Sequence, residues 1–418
     1  MTFWRNWWTM RAKAAAAIFG AVLVLSPASI QPAGAQDVDF NTWLAVFERD
    51  AAAAGISQAT LDSALAGLQP IDRVIELDRK QPEFTQTFWG YLDKSVTAER
   101  IERARRLLAE NRNLLDRVYA RYGVQPRFLV AFWGLESNFG EHTGGYSVIG
   151  ALATLAHDAR RSDFFRAQLL DALKIIDEGS IAPADMQGSW AGAMGQLQFI
   201  PSTFVSYAVD YDGDGRRDIW RSLPDVFASA ANFLGSVGWQ GDETWGREVR
   251  LPADFDWDSA SLKVRKPIAD WQRLGVRRAD GGDLPAADLT GAIIVPMGHR
   301  GPAFLVYRNF DAILTWNRSI LYAVAVGHLA DRIIGEQRLG AKRPADDKAL
   351  SRAEIEELQT LLATLGFDPG AMDGLAGSQT QAAFKAFQRQ ANMIADGYPT
   401  DDGLAALRRV AAQKAKVN

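Results

Sequence analysis

The chain has 418 residues, no cysteine and a formal net charge of −4. The missing cysteine excludes disulfides, thiolate metal sites, a cysteine nucleophile and lipid attachment at a cysteine. The mildly acidic balance argues against a nucleic-acid-binding protein.

The chain opens with Arg5, Arg11 and Lys13, an apolar stretch from Ala14 to Leu25, then Pro27, Pro32 and Ala33-Gly-Ala35. This order predicts a secretory signal peptide over residues 1–35, cut before Gln36. The other reading, an uncleaved membrane anchor, meets an apolar stretch that is short for a span. Cleavage removes three positive charges and no acidic one, which takes the net charge from −4 to −7 and leaves 383 residues, enough for two or three units. A soluble periplasmic or secreted protein is expected.

From residue 40 to about 340 the pattern is mainly helical, with helices predicted over 40–54, 97–122, 164–179, 224–238 and 319–339. Residues 252–296 differ: Asp/Gly clusters and β-prone runs such as Ala292 to Pro296 predict a small sheet or irregular insertion. Residues 341–349 are short, charged and bear Pro344, which suits a linker. A unit of about 60 residues follows, over 350–412, with Leu358-Gln359, Gly366-Phe367, Asp373-Gly374, Gly377, Thr380 and Phe387-Gln388.

Within the helical part, Gly123 can close one helix and Pro126 open the next. Leu129, Trp133 and Glu136 then follow i, i+4, i+7 spacing, which puts a carboxylate on an apolar face. Desolvation raises such a group's pKa and suits it to proton donation near neutral pH. The same pattern suits a glutamate at a frayed helix end, exposed or paired with an arginine. Downstream, Gly192, Ala193 and Gly195 in the block Ser189 to Ser202 let backbone approach a bulky group, while Ser189 and Gln198 offer neutral polar atoms suited to sugar hydroxyls. Tight helix packing explains the small residues equally well.

Taken together, Gly134-Leu-Glu136-Ser-Asn-Phe-Gly140, the block Ser189 to Ser202, Ala151 to Leu155, Arg160-Arg161 and Asn317-Arg-Ser-x-x-Tyr322 resemble the membrane-bound lytic murein transglycosylase B family (glycoside hydrolase family 103). The resemblance spans about residues 40–335. It implies a mainly α, lysozyme-like catalytic domain over 36–340 that cleaves the β-1,4 bond between N-acetylmuramic acid and N-acetylglucosamine without water and leaves 1,6-anhydromuramoyl ends. It makes Glu136 the sole acid/base. Ser189 and Gln198 match positions that hold this glutamate and the substrate, Tyr91 a groove tyrosine, Asn317 and Tyr322 the far wall, and Arg160 and Arg161 arginines that meet the acidic peptide stem. Trp316 and Phe233 stand where the family often has tyrosines, which keeps aromatic surface but loses two hydroxyls. Those two changes also admit a non-catalytic wall-binding protein that kept the fold.

Asp210, Asp212 and Asp214 with Gly215 match positions 1, 3, 5 and 6 of an EF-hand loop, but position 12 is Arg221. A structural Ca2+ and a metal-free Asp/Gly turn both fit. In the family the loop is longer, which makes Asp225 the closing ligand and the Arg216 carbonyl the seventh position. No cofactor is implied for the chemistry. The C-terminal unit resembles the peptidoglycan-binding domain 1 family, a three-helix module whose implied role is tethering to the wall. Implied partners are glycan strands, peptide stems and cell-wall synthesis proteins, with the chain itself a monomer. The four histidines show no metal spacing.

Overall fold

The computed structural model describes residues 38–80, 86–158 and 160–417; the expected signal segment lies outside them. Helices dominate and the β structure is small, in line with the mainly α expectation. Residues 40–418 form one compact unit. Among the described residues no helix is long and apolar enough to cross a membrane.

Several boundaries differ from the expected ones for local reasons. The helix expected over 97–122 is two, Ala98–Glu110 and Arg112–Tyr122. Asn111 separates them, its side-chain amide donating to the Leu107 carbonyl at 2.9 Å and competing with the backbone ladder. The helix expected over 319–339 is Ile320–Ile333, and Gly335 at φ +94° turns the chain away.

The β structure is larger than the 252–296 segment. A two-stranded ribbon joins β1 (Tyr146–Ser147) to β2 (Gln187–Gly188). A five-stranded antiparallel sheet contains β3 (Gly246–Arg250), β4 (Arg265–Pro267), β5 (Arg277–Arg278), β6 (Thr290–Ile294) and β7 (Ala303–Val306), in the order β4-β6-β7-β3-β5. Strand alternation explains its apolar runs. Ala292, Ile294, Phe304 and Val306 face the main helical core, while Ile293, Ala303 and Leu305 face a satellite core with Trp271 and Phe255. A sheet buried on both faces needs consecutive apolar residues rather than alternation with polar ones.

The C-terminal unit has three helices, Arg352–Leu365, Ser378–Gln390 and Asp401–Val417, around Leu358, Leu362, Phe384, Phe387 and Leu407. Buried Gln359 accepts from the Gly374 amide at 3.0 Å and donates to the Leu375 carbonyl at 3.0 Å, which fixes the turn that Gly374 makes at φ +73°. The segment before it is no free linker. Gly340 and Ala341 donate backbone N–H groups to the Glu248 carboxylate at 2.6 and 2.7 Å. Arg343 pairs with Asp93 at 2.8 Å, and Thr87 donates to Asp347 at 3.0 Å. The unit itself is docked: Lys385 donates to the Trp257 carbonyl at 2.7 Å, the His299 amide to Asp396 at 2.8 Å, and Tyr398 packs on the main core. The segment expected as a linker over 341–349 therefore has fixed partners on the catalytic side.

Candidate active site

Glu136 ends the helix Pro126–Ser137, which starts on proline at its first turn and buries Leu129 and Trp133 completely or nearly so. The chain then reverses through two left-handed residues, Asn138 at φ 50° and Phe139 at φ 61°. The spacing of the flanking glycines has a steric cause. A Cβ on Gly134 would lie 2.8 Å from the Phe139 ring, and one on Gly140 would lie 2.5 Å from Gln196 Oε1. Gln196 takes the Trp133 indole N–H at 2.7 Å and donates to the Trp220 carbonyl at 2.8 Å. It joins the glutamate's helix to the Ser189 block, a role the sequence did not single out.

Partly buried, Glu136 receives two hydrogen bonds on the same oxygen. The Trp316 indole N–H donates to Oε1 at 2.8 Å, and the Tyr322 hydroxyl donates to that atom too. Among the described residues nothing bonds to Oε2, and no cation pairs with the carboxylate, which removes the reading of an exposed, arginine-paired glutamate. Burial pushes its pKa from 4.5 up to about 7, and the two hydrogen bonds offset only part of this. Burial also holds the Tyr322 phenol well above its usual range, helped by the Glu136 charge, so it remains a donor. Tyr91 completes the cluster: burial raises its phenol pKa, and the Glu136 charge adds to the rise.

Trp316 is held rigidly, its ring centroid 4.4 Å from Phe132, 5.1 Å from Phe199 and 5.0 Å from Phe233. Phe233 is buried and backs Trp316 instead of lining a groove. Asn317 is exposed, and its side chain accepts the Ser319 amide where the next helix begins. Ser189 Oγ accepts the amides of Ala191 and Ala193 at 3.3 and 3.0 Å, and Gln198 donates to the Thr143 and Gly195 carbonyls, both at 3.0 Å. Neither bonds to Glu136; they shape the loop beside it. Arg160 and Arg161 converge on buried Asp78, outside the Glu136 cluster, with roughly half of each side chain exposed.

The family described as "Transglycosylase SLT domain" matches residues 39–331, and a "Putative peptidoglycan binding domain" matches 351–407. The chain belongs to the transglycosylase SLT family. This transglycosylase is 28% identical over 301 residues to membrane-bound lytic murein transglycosylase B of Escherichia coli K12, covering 67% of this chain and 79% of the relative. Among solved structures it is similar to SltB3 of Pseudomonas aeruginosa in complex with NAG-anhNAM-pentapeptide, at 48% identity and a TM-score of 0.86, covering 89% of this chain and all of the other. It is also similar to Slt35 of E. coli in complex with calcium, at 25% identity and a TM-score of 0.61, covering 70% of this chain and 92% of the other.

The aspartate loop of this transglycosylase fits a hard cation in part. Carboxylate oxygens of Asp210, Asp212 and Asp214 lie within 4.8 Å of one another. All three are exposed, and among the described residues none pairs with a cation, so the clustered charge is uncompensated by protein. Oxygen donors at this spacing suit Ca2+. Asp225, expected to close the set, lies outside the trio. It is fully buried, and its two oxygens accept the amides of Tyr211 at 2.7 Å and Asp218 at 2.8 Å. It straps the ends of the loop together.

Proposed function

We infer that this chain is a peptidoglycan lytic transglycosylase in which Glu136 acts alone as acid and base. The observation that carries this is the carboxylate with a pKa of about 7, both protein donors on Oε1 and Oε2 left for substrate. With the proton on Oε2, Glu136 gives it to the glycosidic oxygen as the bond from C1 of the muramic sugar to that oxygen breaks. Tyr322 and Trp316 stabilise the carboxylate that results; hydrogen bonds to a charged group are the stronger kind. The carboxylate then takes the proton from the sugar's O6 hydroxyl as O6 bonds to C1. The proton gained matches the proton lost and no water is consumed, so the second carboxylate of ordinary glycosidases has no task. Trp316 restores with its indole N–H a donor that phenylalanine could not supply, which weighs against a wall-binding protein without activity.

Tyr91, Ser189, Gln198 and Asn317 contribute to the groove in this reading, and Arg160 and Arg161 meet acidic stems. Residues 1–35 direct the chain to the periplasm. The Asp210, Asp212 and Asp214 carboxylates with the Arg216 carbonyl would hold a structural Ca2+, which supplies only cross-linking of the loop. Cell-wall synthesis proteins are further partners, and the chain works as a monomer. Digestion of purified sacculi followed by mass spectrometry tests the activity: products ending in 1,6-anhydromuramic acid are expected, and ordinary reducing ends would refute it.

A further inference from the structure

The helix Phe88–Ser95 carries Tyr91 into the Glu136 cluster. At eight residues it is too short to be stable by itself, so the groups that hold its ends decide where Tyr91 stands. Arg100 holds the C-terminal end, its guanidinium donating to the Lys94 and Ser95 carbonyls at 3.1 and 2.5 Å. Thr87 holds the N-terminal end. Its hydroxyl accepts the Gly90 amide at 3.0 Å, and its carbonyl accepts the Tyr91 amide at 2.9 Å.

The Thr87 hydroxyl has a second task. It donates to Asp347 Oδ2 at 3.0 Å, across 260 residues of chain. Asp347 belongs to the segment that joins the catalytic part to the C-terminal unit. Arg343 of the same segment pairs with Asp347 at 2.9 Å and with Asp93, on the Tyr91 helix, at 2.8 Å. Arg343 and Asp93 are well exposed, so that outer pair contributes little. Asp347 differs. Its side chain is 3% exposed, and its Oδ1 is buried without a partner among the described residues. Buried carboxylate oxygens are seldom left so, and the contact with Thr87 is the bond this one makes to the catalytic part. The carboxylate draws the hydroxyl's hydrogen toward itself and leaves a lone pair for the Gly90 amide.

We propose that Asp347 is a positioning residue for the cleavage reaction: bonded to the Thr87 hydroxyl, it fixes the first turn of the helix Phe88–Ser95 and so sets the Tyr91 hydroxyl beside Glu136. This rests on the reading that Glu136 cleaves the glycan. Tyr91 follows Thr87 by four residues and lies on the same face one turn further on. Its phenol is within electrostatic reach of both Glu136 and Tyr322. The seating of the segment between the two units is thereby coupled to the catalytic centre.

The test measures kcat and KM for release of anhydro products from soluble glycan strands. Asp347→Ala should lower kcat about tenfold while KM stays within about twofold, because a displaced group near the reacting atoms costs rate more than binding. Asp347→Asn keeps an oxygen for the Thr87 hydroxyl and should recover most of the loss. In Tyr91→Phe, which lacks the hydroxyl, adding Asp347→Ala should cost less than about twofold more. Hydrogen exchange at the Gly90 and Tyr91 amides should quicken in Asp347→Ala and not in Tyr91→Phe. If Asp347→Ala does not fold, Thr87→Val against Thr87→Ser puts the same question, since only serine keeps the hydroxyl. Wild-type kcat in folded Asp347→Ala, losses that multiply in the double variant, or unchanged exchange would each overturn the proposal. Failure of the activity reading is separate: the unaltered protein then yields no anhydro ends, and the exchange comparison still decides whether Asp347 holds the helix.

Discussion

Tyr322→Phe removes one oxygen and leaves the buried ring in place, so it isolates one donor to Glu136. A hydrogen bond to a charged acceptor contributes about 1.5–3 kcal/mol. At about 1.4 kcal/mol per pKa unit, its loss disfavours the carboxylate by about one to two units. In the proposed mechanism the first chemical step needs protonated Glu136, whose pKa is about 7, so activity should fall as pH rises through neutrality. In Tyr322→Phe the alkaline limb of the kcat/KM profile should move upward by about one to two pH units. Below the limb, kcat should drop by about tenfold or more, because the carboxylate formed in that step has lost a donor. The assay follows anhydro-product release from sacculi across pH, with melting temperature as a control for folding. A limb that stays in place or moves to lower pH would refute the assignment of Tyr322 as a donor to the reacting carboxylate.

Three other outcomes are expected. Because the folded state raises the Glu136 pKa from 4.5 to about 7, it binds the proton more tightly than the unfolded chain does. The carboxylate's cost is absent below the lower value and grows as pH rises to the upper one. Glu136→Gln should therefore be inactive, equal to wild type in stability near pH ~4, and more stable by up to about 3 kcal/mol near pH ~8 in urea titrations. Millimolar Ca2+ should raise the melting temperature, and Asp212→Ala should abolish the rise; identical melting curves with and without the ion would exclude a stabilising site. Asp396→Ala removes acceptors for His299, Gln388 and the Tyr398 amide, so limited proteolysis should cut faster between residues 340 and 350, whereas an unchanged cleavage rate would mean that the docking contacts contribute little.

Much of the site's local geometry was legible. Pro126 and the apolar face ending at Glu136 act within one helix, where spacing reports directly on direction, whereas the room that Gly140 leaves is for Gln196, far along the chain. What the sequence could not show is contact across long separations. Trp316 reads as a lost hydroxyl until its indole N–H is seen on a carboxylate 180 residues away. Gln196 lies inside a motif read for its small residues, yet its amide bridges Trp133 and Trp220. The break at Asn111 depends on a side chain competing with backbone, which periodicity does not register. Residues 341–348 carry linker composition, but composition says nothing about whether Glu248, Asp93 and Thr87 wait to receive them.

The unequal treatment of the two Glu136 oxygens has a stereochemical consequence. In the proposed mechanism the base works through one oxygen, Oε2, and every oxygen that exchanges a proton with it must come to that atom in turn. The departing oxygen leaves from the upper, β side of the sugar ring, and the O6 arm hangs over the same side. One station can serve both only because departure and arrival share a face. An attack from below would need a second base on the opposite wall. On that mechanism the bridged sugar follows from Trp316 and Tyr322 holding Oε1 and leaving Oε2 to serve both oxygens.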